Sequence, residues 1–207
     1  MLKNKYPEYF AYQGRKISKR LSQSKKDLIS KYYNQFSLDQ YIIDYHNSEK
    51  SKKKIELPDI TQKINIEIGF GNGDYLIKNA ISKPKELFFG VEVYVNGIAK
   101  VLEQILDFGI KNIILSNLNC YYFLNAMPRK STDKIFIINP DPWTKKRHHK
   151  RRLISYKTIR HLTEIIKSKN SIYLTTDSEP YLKDIENLFN MHKDYIGNYT
   201  LSILNEN

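Results

Sequence analysis

The feature that most constrains the fold is an alternation of strand-like and helix-like segments that starts at Ile64. The segment Ile64–Ile68 predicts a strand, and Leu87–Val93 is an almost continuous apolar run, typical of a strand buried on both faces. Shorter apolar runs predict further strands near 113–115, 135–138 and 172–174, and helical spacing predicts helices near 74–81, 98–106, 153–166 and 181–191. Such strict alternation predicts an α/β fold: a doubly wound, mostly parallel, Rossmann-like sheet with right-handed crossovers.

Residues 1–63 differ from the rest and predict a basic, tyrosine-rich N-terminal extension, which leaves residues 64–207 as the α/β domain. The extension carries 14 Lys and Arg against 7 Asp and Glu. Apolar residues between Leu28 and Phe36 recur at helical spacing, and Ser24 with Asp27 predicts a capping box for that helix. Residues 47–54 are typical of an exposed linker, and residues 199–204 predict a last strand.

Charge and cysteine content narrow the classes of function. The 34 Lys and Arg against 22 Asp and Glu give a net charge of +12, which favours an anionic partner, nucleic acid before a membrane surface. Cys120 is the only cysteine, so a disulfide framework and a cysteine-built zinc site are excluded, and a reducing, cytoplasmic setting is expected. No apolar run is long enough for a spanning helix, and the N-terminus lacks the apolar core of a secretory signal.

The positive charge is concentrated in the run Lys145–Arg152, which holds six Lys and Arg and no acid. Three of the seven arginines of the chain fall in it. A planar guanidinium group matches phosphate oxygens better than a lysine ammonium group does, so the cluster favours a phosphate-facing surface over a merely solvated charge run. His148 and His149 have no acidic or thiol neighbour in sequence, which favours surface or RNA-facing roles over metal binding, and no metal is expected.

A Gly-Phe-Gly-Asn-Gly turn directly after the first strand indicates a ligand site. Its Gly69 and Gly71 allow a cofactor to approach the backbone closely. The dinucleotide fingerprint needs a third glycine at position 74, where an aspartate stands, and this weakens one alternative, a nicotinamide-dependent oxidoreductase. Glu92 ends the second strand, where an acid binds ribose hydroxyls in such folds. Together with Glu67 it suits the ribose and the cationic amino-acid end of S-adenosylmethionine better than a pyrophosphate.

The fourth predicted strand ends in a rigid turn that presents an acid. Pro140 and Pro142 flank Asp141 and restrict the backbone on both sides, which fixes the direction of the carboxylate. The turn lies at the carboxyl edge of a central strand, where open α/β sheets bind ligands. Trp143, the only tryptophan, precedes the basic run and is suited either to stack on a base or to pack in the core.

Three segments together resemble the bacterial tRNA (guanine-N7-)-methyltransferases of the TrmB type. They are residues 66–73, residues 90–93 and, most specifically, residues 140–152, which read Pro-Asp-Pro-Trp-x-Lys-x-Arg-His-x-Lys-Arg-Arg. The resemblance covers about residues 64–182. It implies a class I S-adenosylmethionine-dependent methyltransferase that methylates N7 of guanine 46 in the variable loop of tRNA.

The resemblance also implies roles for individual residues. The cofactor-binding residues are expected to be Glu67, Gly69, Gly71, Glu92, Asn119 and Asp141. Asp141 is further expected to be the central acid of the active site. The substrate-binding residues are expected to be Lys145, Arg147, Lys150, Arg151, Arg152 and Asp177.

The C-terminal end departs from the family pattern. Members carry a Thr-x-x-Glu-type segment that helps to hold the guanine, whereas Thr200 is followed by Leu, Ser and Ile with no acid three residues on. Guanine recognition is thus left without its usual residues, and a second alternative stays open, a non-catalytic or weakly active RNA-binding protein on a methyltransferase scaffold. The sequence leaves both a monomer and a homodimer open.

Overall fold

The computed structural model of the protein describes residues 20–47, 55–56 and 62–196, and their strands form one five-stranded sheet. The strands are β1 (Ile64–Ile68), β2 (Leu87–Val91), β3 (Ile113–Ser116), β4 (Thr132–Ile138) and β5 (Ile166–Thr175). Their order is β3-β2-β1-β4-β5, and every pair of neighbours is parallel. The predicted doubly wound parallel sheet is confirmed. Its strand order reverses between β1 and β4, where open α/β sheets have their ligand crevice.

Helices connect and flank these strands. They are α1 (Gln23–Tyr32), α2 (Asp39–Asn47), α3 (Asp74–Ser82), α4 (Val95–Asp107), α5 (Cys120–Ala126), α6 (Tyr156–Ile165), α7 (Glu179–Met191) and α8 (Lys193–Ile196). Two 3-10 helices lie at Tyr33–Gln35 and Lys146–Arg151. None of the helices in the described ranges has the length and apolarity to cross a membrane.

Each face of the sheet is covered by its own hydrophobic cluster. On one face, Ile66 of β1 belongs to a cluster with Phe123 of α5 and Leu162 of α6. On the other face, Phe88 of β2 belongs to a cluster with Val101 of α4 and residues of α3. Strands covered on both faces need apolar side chains at nearly every position, which explains the continuous apolar run in β2.

The N-terminal segment differs from the predicted helix between Leu28 and Phe36. Helix α1 begins earlier, and its N-cap is Ser22, whose Oγ accepts a hydrogen bond from the Lys25 backbone N–H at 3.4 Å. The predicted capping box of Ser24 and Asp27 is therefore wrong, because Ser24 lies inside the first helical turn. Helix α2 was not predicted. The predicted linker beyond residue 47 and the predicted strand at 199–204 lie outside the described residues.

Residues 20–47 pack on the sheet through both apolar and polar contacts. Ile42 of α2 is fully buried in the first cluster. Asp39 accepts hydrogen bonds from the Tyr33 hydroxyl (2.7 Å), the Ser116 hydroxyl (2.6 Å) and the Asn117 backbone N–H (3.0 Å). Burial raises the pKa of Asp39 against the effect of these donors. The predicted domain boundary after residue 63 stays a prediction.

The chain also runs along the outer edge of β3 just before α2. Ser37 forms a parallel bridge with Leu115 of β3. The Leu115 N–H donates to the Phe36 carbonyl at 2.6 Å, and the Leu38 N–H donates to the Leu115 carbonyl at 3.3 Å. These bonds satisfy backbone groups of an edge strand that would otherwise face solvent.

Candidate active site

A cavity of about 1330 Å³ lies along the carboxyl edge of the sheet, where β1, β2 and β4 end. It is lined by nine of the residues predicted from the sequence. These are Gly69, Gly71, Glu92, Asn119, Asp141, Lys145, Lys150, Arg151 and Arg152. Glu67, Arg147 and Asp177 are not among the lining residues. The acids that end two different strands and the basic run therefore face one cavity.

The glycine turn after β1 is open towards this cavity. Gly69 and Gly71 have positive φ angles of 76° and 56°, which side chains rarely tolerate. A Cβ atom built on either residue meets no atom within 4 Å, so the turn presents bare backbone to open space. From behind, Gly97 of α4 supports the turn, because a Cβ atom at Gly97 would lie 1.9 Å from the Gly71 carbonyl oxygen. Gly97 was not predicted from the sequence, since the need for glycine there arises only from this tertiary contact.

Glu92 joins the turns that follow β1 and β2. Its Oε2 accepts a hydrogen bond from the Gly71 N–H at 2.8 Å. Its Oε1 accepts from the Val93 N–H at 2.7 Å and from the Tyr94 N–H at 3.0 Å. The carboxylate is thus fixed by three backbone donors, which hold it at the rim of the cavity.

Glu67 lies in β1, two residues before Gly69, and is only 5% exposed. Burial, and then the negative charge of Glu92, raise the pKa of Glu67 to about 8. Its buried Oε2 has no hydrogen-bond partner among the described residues. Such an unsatisfied carboxyl oxygen is costly, and a cationic or hydrogen-bonding ligand would relieve that cost.

Asn119 begins the wall of the cavity that follows β3. Its side chain caps α5 by accepting a hydrogen bond from the Tyr121 N–H at 3.1 Å. The Tyr121 hydroxyl pairs with Thr158 of α6 at 2.8 Å and lies 3.4 Å from the hydroxyl of Ser155. Tyr121 and Ser155 also line the cavity. Neither was predicted from the sequence. Tyr121 lies in α5, whose seven residues are too few for a recognisable periodicity, and Ser155 is the N-cap of α6, whose approach to the cavity follows only from the tertiary packing.

Asp141 is exposed and lies in the loop between β4 and the basic run. Two residues that flank it have left-handed backbone conformations, Asn139 with φ 45° and Trp143 with φ 42°. Asn139 is tied to the end of β5, because its N–H donates to the Thr175 carbonyl at 3.1 Å and its side chain accepts from the Thr175 hydroxyl at 3.1 Å. This loop therefore has a defined, strained conformation around the acid.

The basic run folds as a short 3-10 helix at the mouth of the cavity. Lys145, Arg147 and Lys150 are exposed. Arg151 lies over the ring of Trp143, with Cζ 5.0 Å from the ring centroid, and its buried Nε has no hydrogen-bond partner in the described part of the chain. His148 packs edge-on against the same ring. The pKa of His148 is lowered mainly by desolvation and, to a smaller extent, by the positive charges of nearby residues.

Trp143 is half-buried and faces the cavity, where it is flanked by these two basic residues. It is therefore not a core residue. Asp177 is exposed in the turn between β5 and α7. Within the described residues, no group of three or more His, Cys, Asp and Glu side chains is arranged to hold a metal ion.

The fold and this cavity together define a class of protein. A parallel sheet of this order, with an open glycine turn after β1 and an acid at the end of β2, is a Rossmann-like nucleotide-binding arrangement, which class I S-adenosylmethionine-dependent methyltransferases share. Residues 61–202 match the family described as "Putative methyltransferase". The chain belongs to this family, and within it to the TrmB-type tRNA (guanine-N7-)-methyltransferases.

Individual relatives support this assignment. The chain is 31% identical over 169 residues to the tRNA (guanine-N(7)-)-methyltransferase of Wolbachia pipientis wMel, a match that covers 78% of this chain and 76% of the relative. It is 32% identical over 192 residues to a bifunctional methyltransferase of Rickettsia bellii, covering 83% of this chain. The chain spans only about a third (34%) of the length of that relative.

Solved structures of methyltransferases also match the chain. One is the S-adenosylmethionine-dependent O-methyltransferase of Thermotoga maritima, with 15% identity and a TM-score of 0.48. The match covers 72% of this chain and 55% of that chain.

Proposed function

We propose that this chain transfers a methyl group from S-adenosylmethionine to N7 of a guanine in tRNA, and that the guanine is number 46 in the variable loop. Family membership supports the reaction. The observation that carries the proposal is that Glu92, Asp141 and four cations of the basic run line one cavity at the carboxyl edge of the sheet; the cations are Lys145, Lys150, Arg151 and Arg152. Because tRNA is the proposed substrate, we expect the protein to act in the cytoplasm.

The residues around the glycine turn fit S-adenosylmethionine. The bare backbone at Gly69 and Gly71 leaves room for the amino-acid end of the cofactor, and Glu92 offers carboxylate oxygens to ribose hydroxyls. The unsatisfied oxygen of Glu67 lies near this place and suits a cationic group. Asn119 lies on the wall after β3, where the adenine would bind. When bound, the cofactor supplies an electrophilic methyl group.

The chemistry asks little of the protein beyond positioning. N7 of guanine has an exposed lone pair, so no proton must be removed before it attacks the methyl group. Correct alignment of two reactants can supply about 7–11 kcal/mol of the barrier reduction in favourable cases. Asp141 is exposed to the cavity on a loop of fixed conformation, and we infer that it orients the guanine and the cofactor rather than acting as an obligatory base.

The other wall of the cavity suits the RNA backbone. Lys145, Arg147 and Lys150 are exposed cations, and the half-buried Arg151 lies over the ring of Trp143. This arrangement suits phosphate pairing together with stacking of an unpaired base. Asp177 remains a proposed substrate contact on the neighbouring turn.

Incubation of the protein with an unmodified tRNA transcript and labelled cofactor, followed by mapping of N7-methylguanosine, tests the proposal directly. We expect one modified position, guanine 46, and none in a transcript with adenine at that position. Modification at another guanine would refute the finer assignment and keep the reaction.

Two alternatives predict other results. A non-catalytic RNA-binding protein would bind the transcript and S-adenosylhomocysteine without transferring the label. A nicotinamide-dependent oxidoreductase would bind NAD in calorimetry in preference to S-adenosylhomocysteine.

A further inference from the structure

Arg152, the last residue of the basic run, is bound within the protein, unlike the exposed cations before it. We propose that Arg152 is a positioning residue that clamps the Asp141 loop onto α7, and that it does not bind RNA phosphate. The effect on catalysis rests on the proposed function, whereas the clamp itself can be tested without it.

Three contacts occupy the Arg152 guanidinium group. Its Nε donates to the Pro142 carbonyl oxygen at 2.7 Å. One of its terminal nitrogens, Nη1, forms an ion pair and hydrogen bond with Asp184 of α7. Its Cζ lies 4.6 Å from the ring centroid of Tyr181, also on α7. The Arg152 side chain is only 7% exposed.

These contacts occupy the donors and the face of the Arg152 guanidinium group that would otherwise be available to bind a phosphate. Bidentate binding requires two donors on one edge of the guanidinium plane and access to that edge. In Arg152, two donors are already bonded and one face is stacked on Tyr181. In contrast, Arg147 is exposed, and its Nε donates to His148 within the same short helix.

Tyr181, the residue of α7 on which Arg152 stacks, is held in place by burial and a hydrogen bond. Tyr181 is 1% exposed, and its hydroxyl accepts a hydrogen bond from the buried Ile154 N–H at 3.1 Å. Burial raises the pKa of Tyr181. Arg152 thus joins the loop to a packed surface.

The clamp acts on the catalytic loop at a particular point. Pro142 directly follows Asp141, and the other end of the loop is tied to β5 through Asn139 and Thr175. With both ends fixed, the Asp141 carboxylate has a defined position over the cavity. Loss of the Arg152 contact would free one end and let the acid move away from the substrate. A misplacement of about 1 Å can lower the rate about a hundredfold.

Trp143 makes the clamp measurable, because it is the only tryptophan and directly follows Pro142. We would compare the wild-type chain with Arg152→Gln and Asp184→Asn by acrylamide quenching of tryptophan fluorescence. Kinetics with tRNA and salt titrations of tRNA binding would use the same proteins. The control is Glu179→Gln, since Glu179 is also an exposed acid of α7 in an ion pair, with Lys183 at 2.8 Å.

The Asp184→Asn variant is decisive because it weakens the clamp and keeps the positive charge of Arg152. We expect stronger quenching of Trp143 and a kcat about 10–100-fold lower in both test variants, with an unchanged KM for tRNA and an unchanged salt slope. Glu179→Gln should match the wild type. Asp184 is half-exposed, so its variant is expected to fold even if Arg152→Gln does not.

The proposal is overturned if Asp184→Asn keeps wild-type quenching and kcat. It is also overturned if Arg152→Gln lowers the salt slope by about 0.7–0.9, the value of one phosphate contact. If the wild-type protein transfers no methyl group, the proposed function fails, and the quenching data alone still decide whether the clamp exists.

Discussion

The two walls of the cavity are built in different ways. The wall formed by the ends of β1 and β2 is fixed by backbone hydrogen bonds: Glu92 is held by three N–H donors, and the turn at Gly71 rests on Gly97. The wall formed by the basic run includes solvent-exposed cations such as Lys145 and Lys150. In the first wall, the positions of the hydrogen-bonding groups are fixed. In the second wall, the main constant feature is the positive charge.

This difference matches the ligands that we propose. A small cofactor needs defined hydrogen-bonding partners, because each misplaced polar group lowers its affinity. A folded polynucleotide presents many equivalent phosphates, so exposed cations can bind it through a field that depends little on exact side-chain geometry. Arg152 and Asp141 are the points at which the second wall also acquires a defined geometry.

The largest effect should come from Asp141. We expect Asp141→Ala to lower kcat about 100–1000-fold, because the reactants lose their orienting group. Asp141→Asn should retain more activity, since an amide keeps the shape and part of the hydrogen bonding. Single-turnover kinetics would measure both. Equal and complete loss in the two variants would instead indicate a role of the charge or of proton transfer.

Next, Glu67 should make the free energy of unfolding of the protein depend on pH. Its pKa is about 8 in the folded protein against 4.5 ordinarily, so between these pH values the folded state binds more protons than the unfolded chain. The free energy of unfolding of the ligand-free protein should therefore fall as the pH rises through this window.

Denaturant titrations at pH 5 and pH 8.5 would check this. Glu67→Gln should match the wild type at pH 5 and exceed its stability at pH 8.5, by on the order of 3 kcal/mol. The exposed-acid variant Glu179→Gln serves as the control and should not gain stability in this way. Parallel pH profiles for Glu67→Gln and the wild type would contradict the assignment.

A smaller effect is expected from Gly97→Ala. The added Cβ atom would lie 1.9 Å from the Gly71 carbonyl oxygen and must displace the turn. We expect the Kd for S-adenosylhomocysteine to rise about tenfold or more in calorimetry, although alanine is the better helix former. The control Asp107→Ala, at an exposed position of the same helix, should bind as the wild type does. Unchanged affinity in Gly97→Ala would mean that the turn is not rigid.

The smallest effect concerns the second wall. Replacing Arg147 and Lys150 together by alanine should reduce the slope of log K for tRNA binding against log salt concentration by about 1.4–1.8, since each phosphate contact contributes about 0.7–0.9. Affinity for S-adenosylhomocysteine should stay the same. An unchanged slope would place the RNA elsewhere on the molecule.

The sheet could be predicted from the sequence because buried parallel strands leave a direct signature. β1 was predicted with its observed ends, because isoleucine stands at every second position of it. β2 was predicted only two residues too long, since it is an almost continuous apolar run. The first part of β5 was missed, because residues 167–171 are polar and give no apolar signal. Helix α2 was missed for a related reason, as Ile42 is its one buried residue among polar and tyrosine side chains.

The site was predictable where chemistry depends on residue type and order in the chain. The glycine turn, Glu92 and Asp141 follow strands directly, so their meeting at one edge follows from a parallel sheet. The contacts of Arg152 with Asp184 and Tyr181 join positions about 30 residues apart, and charge counting cannot tell such a bound arginine from an exposed one.

The strip of chain that runs beside β3 has a consequence for the life of the protein in a crowded cell. An uncovered outer strand can recruit strands of other chains and start a growing aggregate. Here the pairing of Ser37 with Leu115 fills that position from within the same molecule. A proteolytic cut that released this strip would therefore expose the outer edge of β3 as a template for polymerisation.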